Sequence, residues 1–567
     1  MLAIFLFSLI VLPIFYLYGK ALIHLMRLWS GDDADRPGFV WTALVGLAVV
    51  TFLAVLLSLF MPLSAGALAM VTGGAVAIFA WQARAGSLRI NLASMRLRLP
   101  ALIWILAALV LVSLVEQATR QPTNHDSGVY HAQTIRWAET YPAVPGLGNL
   151  HGRLVFNSSW LAVQALFSFA FLGLQSFRML PVMLAALALA DWLRGAADWL
   201  RGDASLANIL KTLLTPVFFY VLASEISSPG TDLPVLLLAW FLAAAWLERP
   251  AWAGRRAGVY AFTVAILALY AVTIKLSAAP LLVFAGLAAV GAMRRPAALA
   301  KLALVASLFL LPWFARGVIQ SGYLVYPVSA VDLFDPDWKV PAEAARAEYD
   351  HIVAFARLPS LESSEVLAMP TQVWMRQWFA NLTANRRLVL VIAALSPLLL
   401  AGLAIADRLL RAHTWDARLL QAYLAMLIGG AYWAVTAPDF RFGYGFLAPL
   451  ALLPLLMPIA WVSRAAARMA RYVPYLVVAG LIAYQGFFFV RSFERLTIAQ
   501  RVWMPLDYRA LPTEPCPLKN RRVMCAAPIS YNECWYEPFP CIPFERPEVE
   551  LRGSDWRDGF RYTGRQR

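Results

Sequence analysis

Charge is what this sequence has least of. Asp, Glu, Lys and Arg make up 14% of its 567 residues, against about 25% in a typical soluble domain, which excludes an ordinary water-soluble enzyme. Histidine is scarce, with six residues in the whole chain. His125 and His131, on either side of Asp126, lack the i, i+4 spacing of helix-borne metal sites. There are only four cysteines, Cys516, Cys525, Cys534 and Cys541. Their spacings are not CxxC-like and no histidine accompanies them, which argues against structural zinc. The apolar runs lack the period-2 alternation of a membrane β-barrel. Internal repeats and low-complexity tracts are missing as well. Residues 1–26 have no basic leading region and no small-residue cleavage site, so they read as a first spanning helix and not as a cleaved signal.

What is present is hydrophobic sequence, 61% of the chain. Apolar runs of bilayer-crossing length, about 20 residues, recur throughout. A helical bundle is the backbone solution that lipid then allows, and the fold class expected is an all-α polytopic membrane protein. The net charge of +15 points to orientation and not to nucleic acid. The arginines sit in short loops between apolar runs, the positive-inside pattern.

The chain in order gives about 14 spans. Spans are expected at about 1–26, 38–60, 63–82 and 100–116. The apolar segment 159–173 breaks the alternation of basic loops if it crosses, so it is expected to lie in the interface. Further spans are expected at about 177–196, 212–225, 233–248, 258–273, 277–292, 302–316, 388–406, 419–436, 444–462 and 473–490. The Arg/Lys-rich loops then fall on one side. The polar stretches 117–176 and 317–386 and the tail 492–567 fall on the other, the periplasmic side of a bacterial inner membrane. An even number of cysteines in an outward tail suggests two disulfides. Three connectivities exist, and Cys516–Cys525 with Cys534–Cys541 is the most local.

The polar outer residues are the candidates for chemistry. Asp126 follows a spanning helix at the water interface. It could serve as an acid–base group or as the N-cap of the helix after it. His131, Asn149, His151, Arg153 and Asn157 make residues 117–176 a recognition region and not a spacer. Asp232 starts a helix, where the dipole favours an acid. Lys275, Arg316 and Arg441 sit at outer helix ends against the positive-inside trend. Three outward cations in apolar surroundings ask for an anion such as a lipid-linked phosphate. The alternative for each is snorkelling to headgroups. Tyr323, Tyr326, Trp338 and Trp374 make 317–386 an aromatic cover.

The strings DSGVYHAQTIRWAETYPAVPGLGNLHGRLVFNSSW, SSPGTDLP, TIKLSAAP, PWFARGVIQSGYLVYP, APDFRFGYGF and CWYEPFPC follow one pattern. An acid lies in the first outer loop, an acidic loop comes next, then a Lys, then a P-D-x-R-F loop. This resembles the GT-C superfamily of membrane glycosyltransferases, which use polyprenyl-phosphate-linked sugars, over roughly residues 95–490. The resemblance implies a GT-C-like core at 96–491, extra helices at 1–95 and a cysteine-bearing segment at 492–567. It implies Asp126 as general base toward an acceptor hydroxyl. It implies Asp232 as the acid of the second loop and Lys275 and Arg441 as the positions that hold the donor phosphate; Arg316 and Tyr444 are further substrate-binding candidates. The second acid that follows the first in such enzymes is Ser127 here. The implied partners are the lipid bilayer, a polyprenyl-phosphate sugar donor and an envelope glycan or glycolipid acceptor. No nucleic acid is implied, and no cofactor beyond an optional divalent metal. The rival classes are a transporter or flippase of lipid-linked saccharide and an O-antigen ligase or polymerase.

Overall fold

The computed structural model describes residues 1–30, 37–85, 100–174, 179–221, 223–248, 258–290, 296–412, 414–464, 472–493 and 502–564. The basic segments 86–99, 249–257, 291–295 and 465–471, which carry most of the orientation argument, lie outside the described residues.

Among the described residues ten helices are long and apolar enough to cross a membrane. The architecture is that of a polytopic helical membrane protein. The ten correspond to ten of the expected spans. The other four are consecutive and come out shorter: Leu206–Val221, Asp232–Glu248, Gly258–Ile274 and the 3-10 turn Leu276–Leu281 with Leu282–Val290. Asp232–Glu248 and Gly258–Ile274 are buried along almost their whole length. A helix that is apolar all round belongs inside the bundle. Ala384–Leu410 and Val473–Phe493 instead expose leucines such as Leu398, Leu409 and Leu476, as a lipid-facing shell would. The span expected at 444–462 is two helices, Phe440–Leu452 and Leu456–Arg464, broken at Pro454. The segment 159–173 forms only the short helix Ser159–Leu166 and a 3-10 turn. It packs against Phe39–Leu57 and Gly258–Ile274.

The first three helices are part of the main apolar core and not an appendage. Leu2–Ser30 crosses Phe39–Leu57 where Gly19 meets Gly46. A Cβ on Gly46 would lie 1.6 Å from the Phe15 carbonyl oxygen, so backbone contact there requires glycine.

A second, smaller core lies at one end of the bundle, called here the loop face. It joins residues 127–156, Tyr323 and Tyr326 of the long loop, and the C-terminal tail. The tail departs from the all-α expectation. Strand β1 (Thr513–Pro517) pairs antiparallel with β2 (Arg522–Ala526), and β2 pairs parallel with the short β3 (Cys541–Ile542); β4 (Val549–Leu551) pairs with β5 (Phe560–Tyr562). A segment closed by disulfides can hold such short strands despite its small core. The long loop carries helices Ala342–Arg357, Ser363–Ala368 and Thr371–Asn381.

Candidate functional site

Four helix ends converge on the loop face. Asp126 lies eight residues beyond the helix Ala101–Ala118. Asp232 opens the helix Asp232–Glu248. Lys275 follows the end of Gly258–Ile274 in extended backbone. Arg441 lies in the first turn of Phe440–Leu452, whose N-cap is Asp439, accepting from the Arg441 amide at 2.9 Å. Two of these ends are N-termini, whose partial positive charge favours anions.

The side chains meet in two linked groups. Arg441 Nη1 is 3.3 Å from Asp126 Oδ2, and Arg153 Nη1 is 3.7 Å from Asp126 Oδ1. Each cation has a second carboxylate: Arg441 Nε is 3.3 Å from Asp439, and Arg153 Nε is 3.0 Å from Glu348 in the long loop. Beside them Lys275 pairs with Asp232. Its ammonium sits 3.7 Å over the Phe442 ring, within cation–π range. Asp126, Arg153, Lys275 and Arg441 keep between 22% and 31% of their side-chain surface exposed. These four side chains therefore reach solvent, while Asp232 is buried.

Asp126 does not cap a helix. Its backbone is helical and its side chain makes no capping bond. Asn124 Oδ1 accepts from the Asp126 amide at 3.0 Å instead, which leaves the carboxylate to its cations. The five residues that follow, Ser127–His131, form a single π-helical turn, a distortion often found at functional sites. Burial works against the charge on Asp126. The cations Arg441, Arg153 and Lys275 outweigh it and hold the carboxyl below its ordinary value, so it is ionised at neutral pH.

The floor is polar and mostly buried. Ser127 and Ser228 share a hydrogen bond at 2.7 Å, and Asn124 Nδ2 donates to Glu225 at 2.9 Å. Burial raises the Glu225 carboxyl above its usual value. Burial pushes the His131 imidazole down to about 4, so it is neutral at physiological pH.

The other residues expected at the site are placed apart from Asp126. Arg316 is buried and donates to Asn157 Oδ1 at 2.8 Å, while Asn157 Nδ2 donates to the Trp313 carbonyl at 2.7 Å. This pair ties the helix Pro296–Ser321 to the loop at 157, so Arg316 does not converge with Lys275 and Arg441. Asn149 donates to the Trp338 carbonyl at 2.8 Å. His151 is buried near Arg153 and Arg546, and burial keeps its ring neutral. Tyr444 lies against Phe440 with Arg386 beside it. The sequence reading missed Glu348, Asp439 and Phe442. Asp439 was legible in PDFR as an N-cap. Glu348 was not, because it lies 195 residues from Arg153.

The tail clamps the turn that follows Asp126. Both disulfides have the local pairing, Cys516–Cys525 and Cys534–Cys541, each with Cα atoms 5.7 Å apart. The amides of Cys534 and Trp535 both donate to the Gly128 carbonyl at 2.9 Å. Gln133 Nε2 donates to the carbonyls of Trp535 at 2.9 Å and Pro538 at 3.0 Å, and Gln133 Oε1 accepts from the Cys541 amide at 3.1 Å. A Cβ on Gly128 would lie 2.8 Å from the Trp535 ring, so only glycine admits this approach. Tyr536 donates to Glu139 at 2.7 Å.

Among the described residues no group of three or more His, Cys, Asp or Glu could hold a metal ion. At Asp126 the neighbouring positions are taken by guanidinium groups. This donor set does not fit a divalent cation, and no step is routed through one.

The fold and site thus define a multi-pass helical membrane protein with a charged polar site where helix ends meet one face of the bundle. The chain belongs to the family described as a domain of unknown function, DUF8201, whose model matches residues 1–448. That match takes in Asp126, Asp232, Lys275 and Arg441 and stops before the cysteine-bearing tail. No curated protein matches the chain, and no solved structure does.

Proposed function

We propose that the protein is an inverting glycosyltransferase of GT-C type. It would take a sugar from a polyprenyl-phosphate donor and pass it to a hydroxyl of an envelope glycan or glycolipid, at the periplasmic face of a bacterial inner membrane. The observation that carries the reading is the Asp126 carboxylate. It is ionised, a quarter exposed (24%) and held between Arg441 and Arg153, beside the Asp232–Lys275 pair, where apolar helices end.

Each part has a chemical role. The acceptor hydroxyl oxygen attacks the anomeric carbon and forms the new C–O bond. The bond from that carbon to the phosphate oxygen breaks, and its electron pair leaves with the polyprenyl phosphate. The hydroxyl proton passes to Asp126, which must lie within hydrogen-bond reach. Lys275 and Arg441 neutralise the charge growing on the leaving phosphate, helped by the N-termini at Asp232 and Phe440. Arg153 and Glu348 tie the long loop to the site and would shape its acceptor side.

The test uses the full-length protein in lipid nanodiscs with a synthetic polyprenyl-phosphate hexose and a panel of glycan and glycolipid acceptors. Mass spectrometry should show free polyprenyl phosphate together with a glycosylated acceptor, and NMR of that product should show the inverted anomeric configuration. Movement of intact donor across proteoliposome bilayers, with no bond broken under any acceptor, would replace this reading with transport.

A further inference from the structure

The π-helical turn does something that a regular helix could not. Asp126 and His131 are five residues apart. On an α-helix, at 3.6 residues per turn, that spacing turns side chains well away from each other. On a π-turn, with its i→i+5 bonds, position five comes round to the same side. The turn Ser127–His131, closed by the Ala132 amide on the Ser127 carbonyl, carries His131 back toward Asp126, whose carboxyl feels any charge on its ring. The groups whose charges act on its ring are Asp126, Asp232, Lys275 and Arg441, the four that line the site. The Gly230 backbone lies beside the ring: a Cβ there would sit 3.5 Å from His131 Cε1, the carbon between its two nitrogens, and 3.6 Å from Asn124 Nδ2 of the polar floor.

His131 is 2% exposed, yet neither ring nitrogen has a hydrogen-bond partner among the described residues. Leaving a buried polar group unpaired costs about 1–3 kcal/mol per group. The charged groups around the imidazole are already paired with each other. Among the described residues it is the buried polar side chain at this site whose two ring nitrogens both lack a hydrogen-bond partner.

We infer that His131 is the sugar-binding residue of the site, and that its ligand is a neutral hydroxyl-bearing ring and not the phosphate. This rests on the glycosyl-transfer reading and names the group that His131 recognises. A neutral imidazole has one N–H donor and one bare nitrogen acceptor. A phosphate offers only acceptors and would satisfy one of the two. Sugar hydroxyls donate and accept, and so satisfy both. Asp126 and Asp232 on either side accept from further hydroxyls, as carboxylates do in polyol sites. The cations beside them are left to the phosphate.

The experiment measures binding of two probes to nanodisc-embedded full-length protein: polyprenyl phosphate, and the same lipid phosphate carrying one hexose. His131→Phe keeps the ring shape without the nitrogens, and His131→Gln restores one donor and one acceptor. The expected result is at least a tenfold loss for the hexose-bearing lipid in H131F, no loss for polyprenyl phosphate, and substantial recovery in H131Q. Thermal unfolding of each variant confirms that it is folded. Equal loss of both probes would assign His131 to the phosphate and overturn the inference. Loss of neither would overturn it too. If the wild type binds neither probe, the glycosyl-transfer reading itself falls.

Discussion

The helix Asp232–Glu248 has a carboxylate at each end, and each end joins a cluster of opposite charges. The two clusters are built differently. At the Glu248 end Lys211 is 3% exposed and reaches Asp191 at 3.0 Å and Glu248 at 2.7 Å. Its stem lies on Gly195, where a Cβ would come within 2.8 Å of Lys211 Cβ. The three side chains pair directly with one another. At the Asp232 end the contacts to Asp126 are 3.3 and 3.7 Å, the cations are shared among several carboxylates, and neither ring nitrogen of His131 has a hydrogen-bond partner among the described residues. Chemically similar residues make a pin at one end and an open site at the other. What separates them is the exposure of the cations, 3% for Lys211 against 22–31% for Arg153, Lys275 and Arg441, and unsatisfied valence, not residue type.

The largest effect that would break this comparison is on stability at the closed end. Lys211→Met leaves two carboxylates without their cation and should lower unfolding stability by about 3 kcal/mol, the low end for a broken buried pair because Glu248 reaches solvent. Transfer per folded molecule should stay at the wild-type rate. A loss of transfer without a loss of stability would make Lys211 functional and dissolve the contrast.

Next in size is the disulfide beside the open site. Replacing Cys534 and Cys541 by Ala opens a short loop, which should cost about 2–3 kcal/mol. Hydrogen exchange should rise at Gly128–Glu139 and leave the Lys211 end unchanged. Gly128→Ala should cost about 1–2 kcal/mol through the clash with Trp535. It should lower transfer more than its stability loss explains, since it shifts the turn between Asp126 and His131.

The smallest effect is one of pH. Burial raises Glu139 to about 7, above its ordinary carboxyl value. The folded state therefore favours the protonated form. The contribution of Glu139 is fully present at acid pH and is lost as pH rises toward 7. Protection of the Tyr536 amide, corrected for the intrinsic pH dependence of exchange, should be higher at pH 5.5 than at pH 8, and Glu139→Gln should remove most of that difference. An unchanged pH dependence in the variant would place the titrating group elsewhere.

The helical membrane architecture was legible because apolar length is a local signal. Asp126, Asp232, Lys275 and Arg441 stood out as polar residues at helix ends, and the local disulfide pairing followed from proximity in the chain. The register of the turn did not, because SGVYH has nothing that marks a π-helix over an α-helix, and that register is what places His131. Arg316 was misplaced among the converging cations because helix ends on one face need not adjoin; its partner Asn157 is set by tertiary packing. The clamp by Gln133 and Trp535 joins segments about 400 residues apart, beyond any local pattern.

The central claim is that the Asp232 end is a site organised around Asp126. The most direct measurement takes Asp126→Asn, which keeps the shape of the side chain, and records thermal unfolding and transfer from a polyprenyl-phosphate hexose on the same preparation. The account predicts that transfer falls about 10²–10⁴-fold with the unfolding temperature within a degree or two of wild type. Transfer at the wild-type rate in a folded variant, or a loss of transfer fully matched by unfolding, would contradict it.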